Sequence, residues 1–341
     1  MLRNTAQNVG AALTAIVFSA GVAHADTVFN YSSWIPWTHP VNEAIYIPWM
    51  EAIEEESEGR IKFKRLPKAV ASPPAHLDAI RTGQADVGFT VHGYSRKRFA
   101  AYLFAELPFL GDSAVATSIA LQKTHEKFLA DKGYYDGVKL IGMNTHGPGV
   151  IHHSSKHIVT PDDMNGQKMR TGGPIPLAIV EGWGGVSIRQ PAPKSYEILS
   201  SGIADGILFP YESLPSFKIT DIVTYSTEMP GGWYSSSHYL IMNEAKYNAL
   251  SDEDKAIIDK HSGVAFAERA GLGWDKINEQ GREIVAASGN SIQVAPAETV
   301  KALEELNESF LQDYYAGAAD AGVDGKEMFD FFKAEMTKLS N

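Results

Sequence analysis

Cysteine is absent from the 341-residue chain. Without thiols there is no disulfide framework and no thiolate metal or redox site, so stability has to come from core packing. Long apolar runs are also missing. Past residue 25 no stretch reaches the roughly 18 uninterrupted apolar residues of a membrane-spanning helix. Positive charge is scarce: 30 Lys and Arg stand against 41 Asp and Glu, for a formal net charge of -11. That balance argues against nucleic acid or an anionic membrane as a partner. An anionic small molecule would need a local positive site, because the overall field repels it.

What is present begins with an export signal. Arg3 is followed by the apolar stretch 9–23 and by Ala23-His24-Ala25, a small-x-small cleavage site before Asp26. Residues 1–25 therefore read as a secretory signal peptide, with the periplasm as destination. Removing Arg3 with it takes the charge from -11 to -12. The remaining 26–341 is long enough for two domains of about 150 residues.

Strand and helix patterns alternate along this part. Thr27–Tyr31 reads as a first strand, followed by the Pro-broken aromatic loop SSWIPWTHP. Val41, Ile45, Trp49 and Ile53 mark one face of a helix, kinked at Pro48 and stopped by Gly59. Ile61–Leu66 predicts a second strand, and Ser72-Pro73 an N-cap and first turn for a helix running to Gly83. Lys139–Met143, Gln167–Arg170 and Tyr239–Met242 predict further strands, and Thr160 caps the acidic turn Pro161-Asp162-Asp163. Ser251 caps a helix expected to carry Ile257, Ile258, Val264 and Phe266 together; Val300, Leu303, Leu306, Phe310 and Tyr314 form a second apolar stripe.

One unit occurs twice. Residues 79–89 (AIRTGQADVGF) and 198–208 (ILSSGIADGIL) share a glycine, one residue, then Ala-Asp, with the glycines 119 positions apart. In each, glycine supplies the left-handed stop of a helix and the chain turns directly into a buried strand. Each copy sits in its own run of alternating strands and helices, as two α/β lobes require.

Five segments, in order, resemble the solute-binding proteins of tripartite ATP-independent periplasmic (TRAP) transporters: HLDAIRTGQADVGF, Leu107-Pro108-Phe109-Leu110, TPDDMNGQKMR, YEILSSGIADGILFP and LIMNEAKYNALSDEDKAII. The resemblance runs to about residue 260 and implies an α/β fold of the periplasmic binding protein kind. It implies two lobes joined by crossing strands and a long helix, a hinge, a ligand cleft and a helical C-terminal region. On that basis lobe I is expected over 26–148 plus 235–272, and lobe II over 149–234 plus 273–341. Delivery of a small organic carboxylate to an ion-gradient-driven membrane permease is implied as well. The protein is expected to be a monomer without cofactor or metal.

Arg170 matches the family arginine that pairs with the ligand's carboxylate. It also lies at a strand end before Thr-Gly-Gly-Pro, where open α/β sheets bind ligands, and a guanidinium meets a carboxylate through two parallel hydrogen bonds. Where many members carry a second arginine and an amide, this chain has Val150 and Phe209, which argues against dicarboxylates and polyhydroxylated acids. Trp34, Trp37, Phe209, Tyr211 and Trp233 fall in segments expected to face the cleft. They suggest a box around an onium group, with a betaine or a sulfonium propionate as the favoured cargo, or stacking on an aromatic acid. Core packing of most of these rings is the plainer alternative, and Trp183 fits it best. His92, just after the first repeat strand, is a further ligand-contact candidate. His146, His152, His153 and His157 follow no metal-ligand spacing. An exported hydrolase is disfavoured because no GxSxG elbow or SxxK occurs. A sensor that presents its ligand to a receptor remains open at this level.

Overall fold

The computed structural model describes residues 26–339. The expected signal peptide, 1–25, lies outside the described residues. Among them no helix is long and apolar enough to cross a membrane.

Eleven strands, β1 Thr27–Ser32, β2 Ile61–Arg65, β3 Val87–Val91, β4 Val138–Thr145, β5 Val150–His153, β6 Lys168–Thr171, β7 Val186–Arg189, β8 Gly206–Phe209, β9 Tyr225–Glu228, β10 Ser237–Asn243 and β11 Ser291–Val294, form two sheets. Their orders are β2-β1-β3-β10-β4 and β11-β9-β5-β8-β6-β7. In the first, β1 is parallel to β2 and β3, and β10 is antiparallel to β3 and β4. In the second, β6 is parallel to β7 and β8, and β5 is antiparallel to β8 and β9. The two therefore share one plan, with β7, β6, β8, β5 and β9 standing for β2, β1, β3, β10 and β4.

The repeated sequence unit carries this symmetry. The helices His76–Arg81 and Ser195–Ser200 end at Gly83 and Gly202, with φ +77° and +70°. The Asp that follows ties each new strand to its neighbour in the same way. Asp86 N–H donates to Asn30 O (2.9 Å) and its carboxylate accepts Asn30 N–H (2.7 Å). Asp205 N–H donates to Lys168 O (2.7 Å) and its carboxylate accepts Lys168 N–H (2.8 Å).

Three elements run between the sheets. β4 continues into β5 while β9 returns into β10, and the ladder between these strands persists across the gap through Gly149 N–H to Tyr234 O (2.8 Å) and His146 N–H to Ser236 O (3.2 Å). The third is the 25-residue helix Gly263–Ala287. Its glycines allow backbone contact with both sides: an added Cβ would fall 2.5 Å from Val115 Cα at Gly271, and 2.6 Å from Glu212 N at Gly281. One core packs this helix against the first sheet through Phe29, Ile45, Trp49 and Phe266; another holds Ile207, Leu214 and Val285 beside the second.

Local signals behave as chemistry requires. Thr160 and Asp163 form a reciprocal capping box, and Ser251 Oγ accepts Asp254 N–H at 3.1 Å. Before Pro48 the chain adopts a π-type turn over Asn42–Tyr46, so the expected kink appears as a wide turn ahead of the helix Ile47–Glu56. Ser72 occupies the cap position without a side-chain capping bond. Ile257 and Ile258 are on a different helix from Val264 and Phe266, because the chain breaks at His261-Ser262 with Gly263 at φ +60°. The C-terminal segment grouped from sequence with lobe II touches more than one body. Helix Ala297–Asp320 contacts both the turn Ala100–Ala105 and the helix Pro174–Gly182, and helix Gly325–Leu339 lies on the helix Ala114–Phe128.

Candidate functional site

A cleft of about 610 Å³, its open mouth included, lies between the two sheets. One wall comes from the first sheet and its loops, with Trp34, Phe89 and Tyr94; the other comes from the second, with Arg170, Phe209 and Phe217. The carboxyl ends of equivalent strands, β1, β3, β6 and β8, supply most of these side chains directly or through the loops that follow, as open α/β sheets dictate.

Arg170 is 1% exposed although it carries a full charge. Its Nε–H donates to Gln190 O at 2.9 Å, and its guanidinium carbon lies 4.3 Å from the centre of the Phe209 ring. Burial pulls its pKa down, and the groups that oppose this are the phenols of Tyr94 and Tyr234 rather than any carboxylate. A Cβ at Gly172 would sit 2.8 Å from one terminal nitrogen, so the glycine makes room for the guanidinium. The result is a rigidly held cation facing an aromatic space, suited to one carboxylate.

The rings stack outward from it. Phe209 is parallel to Phe217 with centroids 5.6 Å apart, and Phe217 meets the His39 ring at 5.2 Å. Opposite, Trp34 donates its indole N–H to Phe89 O (3.0 Å) and tilts over the Phe89 ring at 4.9 Å. Near the ribbon, His146 and His238 flank Trp274, with centroids 5.9 and 5.4 Å from it. Burial depresses these imidazoles to about 4 for His146 and about 3 for His238, so both are neutral at neutral pH. Glu212 is buried with its oxygens accepting the hydroxyls of Ser213 (3.0 Å) and Ser216 (2.6 Å), and desolvation pushes it up to about 7.

Of the seven residues singled out from sequence, the structure brings Arg170, Trp34 and Phe209 to the cleft. The other four lie elsewhere, each held by a specific partner. Trp37 donates its N–H to Leu66 O (2.7 Å), meets Tyr31 edge-on and carries Arg65 over its face. Tyr211 donates its O–H to Glu228 (3.0 Å) and packs edge-on with His152. Trp233 is fully buried, donating to Thr227 O (2.7 Å) against Trp183. His92 is stacked on Tyr102 at 4.6 Å and bonded to Ser237 Oγ (2.8 Å) and Tyr135 Oη (2.5 Å), beneath a separate recess. Val150 pairs across the sheet with Phe209 and packs in the second core.

Of the sequence histidine cluster, His146 alone reaches the cleft. His152 bonds Ser226 (2.8 Å), His153 bonds Gln167 (3.0 Å), and His157 bonds Ser291 (2.8 Å). Among the described residues no three His, Asp or Glu side chains converge as a metal site would need. Sequence reasoning missed His39, Phe89, Tyr94, Glu212 and Phe217. For Phe89, Tyr94 and Glu212 a signal was available, since all three sit within or just after the repeat strands that carry Phe209.

Known proteins share this arrangement. The family described as bacterial extracellular solute-binding protein, family 7 (DctP), matches residues 31–317. A TRAP periplasmic solute-binding protein from Bordetella bronchiseptica, solved with (R)-mandelate and (S)-mandelate, is 38% identical with a TM-score of 0.89, covering 92% of this chain and 99% of its own. A marine metagenome TRAP solute-binding protein specific for aromatic acid ligands, in complex with 3-hydroxybenzoate, is 32% identical with a TM-score of 0.86 over the same 92% and 99%. A sequence relative named outer membrane transporter protein TsaT, from Comamonas testosteroni, is 29% identical over 326 residues, 95% of this chain and 96% of its own. With the family match spanning both sheets and the cleft between them, the chain belongs to family 7 of the bacterial extracellular solute-binding proteins and is a periplasmic TRAP solute-binding protein.

Proposed function

We propose that the cleft captures an aromatic monocarboxylate, holds it without turnover, and hands it to the membrane permease of a TRAP transporter. One observation carries the reading: Arg170 is buried, stacked on Phe209 and paired with no carboxylate, in a cleft whose walls include Trp34, Phe89 and Phe217. A carboxylate on the guanidinium satisfies the cation, and a flat ring fits between the facing aromatic walls in offset or edge contact. Arg170 is the one Lys or Arg among the described residues lining the cleft, so a second acidic group would find no cation there. The relatives support the same class, since the Bordetella protein holds mandelate and the metagenome protein 3-hydroxybenzoate.

The onium zwitterion favoured on sequence grounds is the weaker reading. Its box needed Trp37, Tyr211 and Trp233, which are bound elsewhere, and the face of Phe209 is already taken by the protein's own cation at 4.3 Å. An onium group beside it would meet like charge.

The test is a thermal-shift and calorimetric screen of the mature protein with mandelate, benzoate, glycine betaine and a sulfonium propionate. An aromatic acid at 100 times its Kd should stabilise the protein by about 2.7 kcal/mol. Arg170→Ala should weaken that binding by about 3–5 kcal/mol, the cost of stranding one partner of a buried pair. Stabilisation by the onium compounds and by no aromatic acid would overturn the reading.

A further inference from the structure

One polar group in the cleft wall is used by neither the carboxylate anchor nor the aromatic faces. His39 is 6% exposed, lines the cleft, and its Nε2 is buried with no protein partner among the described residues. Its other nitrogen is engaged. Val41 N–H donates to Nδ1 at 3.3 Å, and Glu212 Oε1 from the opposite wall lies 3.5 Å from the same atom. Nε2 is then the nitrogen left for the cleft, an N–H donor where Nδ1 accepts from Val41 and an acceptor where Nδ1–H donates to Glu212. Burial also pushes the imidazole down to about 4, so at neutral pH it is uncharged. His39 therefore presents a neutral, unpaired ring nitrogen to the cleft, and a buried polar atom left unpaired is unfavourable.

Its position relative to Arg170 gives this nitrogen a purpose. The guanidinium lies on Phe209, Phe209 stacks on Phe217, and Phe217 meets His39, so two rings stand between the cation and the imidazole. A ligand with its carboxylate on Arg170, its ring passing the edges of Phe209 and Phe217, directs its far edge toward His39. We propose that His39 reads an oxygen substituent on that edge, so that the preferred cargo is a hydroxylated aromatic acid rather than the bare ring acid. The inference rests on the aromatic-acid reading above and adds a specificity-determining residue to it. A second imidazole nitrogen in the wall, His238 Nδ1, also lacks a protein partner, but it sits with Trp274 and His146 rather than beside Phe217.

Isothermal titration of the mature protein with benzoate, 3-hydroxybenzoate and 4-hydroxybenzoate tests this. The wild type should bind at least one hydroxybenzoate about tenfold tighter than benzoate, the scale of one net hydrogen bond. His39→Leu should pull the hydroxybenzoate affinity down to that of benzoate, and His39→Gln, which keeps an N–H donor, should restore part of the preference. Equal wild-type affinity for all three acids overturns the inference, and that comparison needs no variant to fold. A hydroxyl preference that survives in His39→Leu overturns the assignment to His39. Failure of all three acids to bind is a different result, which sinks the aromatic-acid reading itself.

Discussion

Gly172→Ala tests whether the placement of the Arg170 head, rather than its charge alone, sets affinity. The added Cβ would lie 2.8 Å from one terminal nitrogen and 3.1 Å from the guanidinium carbon. A flexible arginine tip would swing aside, but this one is pinned through Nε to Gln190 O and by Phe209 at 4.3 Å. A shift of a few tenths of an ångström tilts the plane and spoils one of the two parallel bonds to a carboxylate. One charge-assisted hydrogen bond contributes about 1.5–3 kcal/mol, so the ligand's Kd should rise about 10- to 150-fold. The ligand-free protein should melt within a degree or two of the wild type, because nothing in either core moves. Calorimetric titration of wild type and variant with the same aromatic acid reads the effect. Unchanged affinity would refute the reasoning, since it would mean either that Arg170 does not contact the ligand or that its geometry is irrelevant.

Two further outcomes follow from groups away from the guanidinium. Asp86→Ala should cost about 1–3 kcal/mol in urea denaturation, because Asp86 is buried and its carboxylate holds both Asn30 N–H and Asn30 Nδ2; the matching Asp205→Ala should cost less than about 1 kcal/mol, since its bond to Lys168 N–H is open to water, and the reverse order would contradict the equivalence. Stability should fall on acidification below pH 6.5. Burial depresses His39, His125 and His146 to about 4 and His152 and His238 to about 3, so the unfolded chain takes up these protons first and their contribution is lost as pH drops from 6.5 toward 4. Glu106 and Glu212, raised to about 7, act oppositely by losing stability as pH rises from 4.5 to 7, but the buried histidines outnumber them, His76 and His92 being lowered as well. Each net proton taken up by the unfolded chain corresponds to about 1.4 kcal/mol per pH unit, and denaturation midpoints from pH 5 to 7 that stay flat would refute it.

Much of the fold was legible because its signals are local. A glycine at φ +77° or +70° stops a helix whatever lies around it, and the Asp two residues beyond the glycine's neighbour pairs with an adjacent strand in both copies. The Thr160 capping box is equally self-contained. Arg170 was legible because it matches the family arginine and lies at a strand end, where this kind of sheet lines its cleft. The aromatic residues were not, since lying after a strand does not say which way a ring turns. Trp34 and Trp37 are three residues apart in one loop, yet the first gives its N–H to Phe89 O on β3 and the second to Leu66 O past β2, which sends their rings to different places. Likewise Phe209 ends β8 under the guanidinium, while Tyr211 two residues on is drawn away by Glu228 from β9. Those partners are remote in sequence, and no periodicity announces them.

The uncompensated guanidinium also bears on how the cleft responds to its cargo. Few direct polar contacts cross from wall to wall: Ala192 N–H donates to Tyr94 Oη at 3.0 Å, and His39 approaches Glu212 at 3.5 Å. With the walls together, Arg170 is 1% exposed and has only the Gln190 carbonyl, the Phe209 ring and phenol dipoles to replace water. Burying a charge without a counter-charge costs several kcal/mol, more than these neutral contacts return. Separating the sheets about the ribbon and the helix Gly263–Ala287 would rehydrate the guanidinium, so the ligand-free protein gains by opening. On the proposed reading, a carboxylate on Arg170 would reverse that balance, because in the closed cleft the counter-charge meets its desolvated partner and the ring gains contacts from both walls. A ligand can shift the equilibrium only by its difference in affinity between the two states. If the proposed pairing holds, that difference comes from the charge, and an uncharged amide of the same acid is expected to bind far more weakly than the acid in calorimetric titration; equal affinity would refute it.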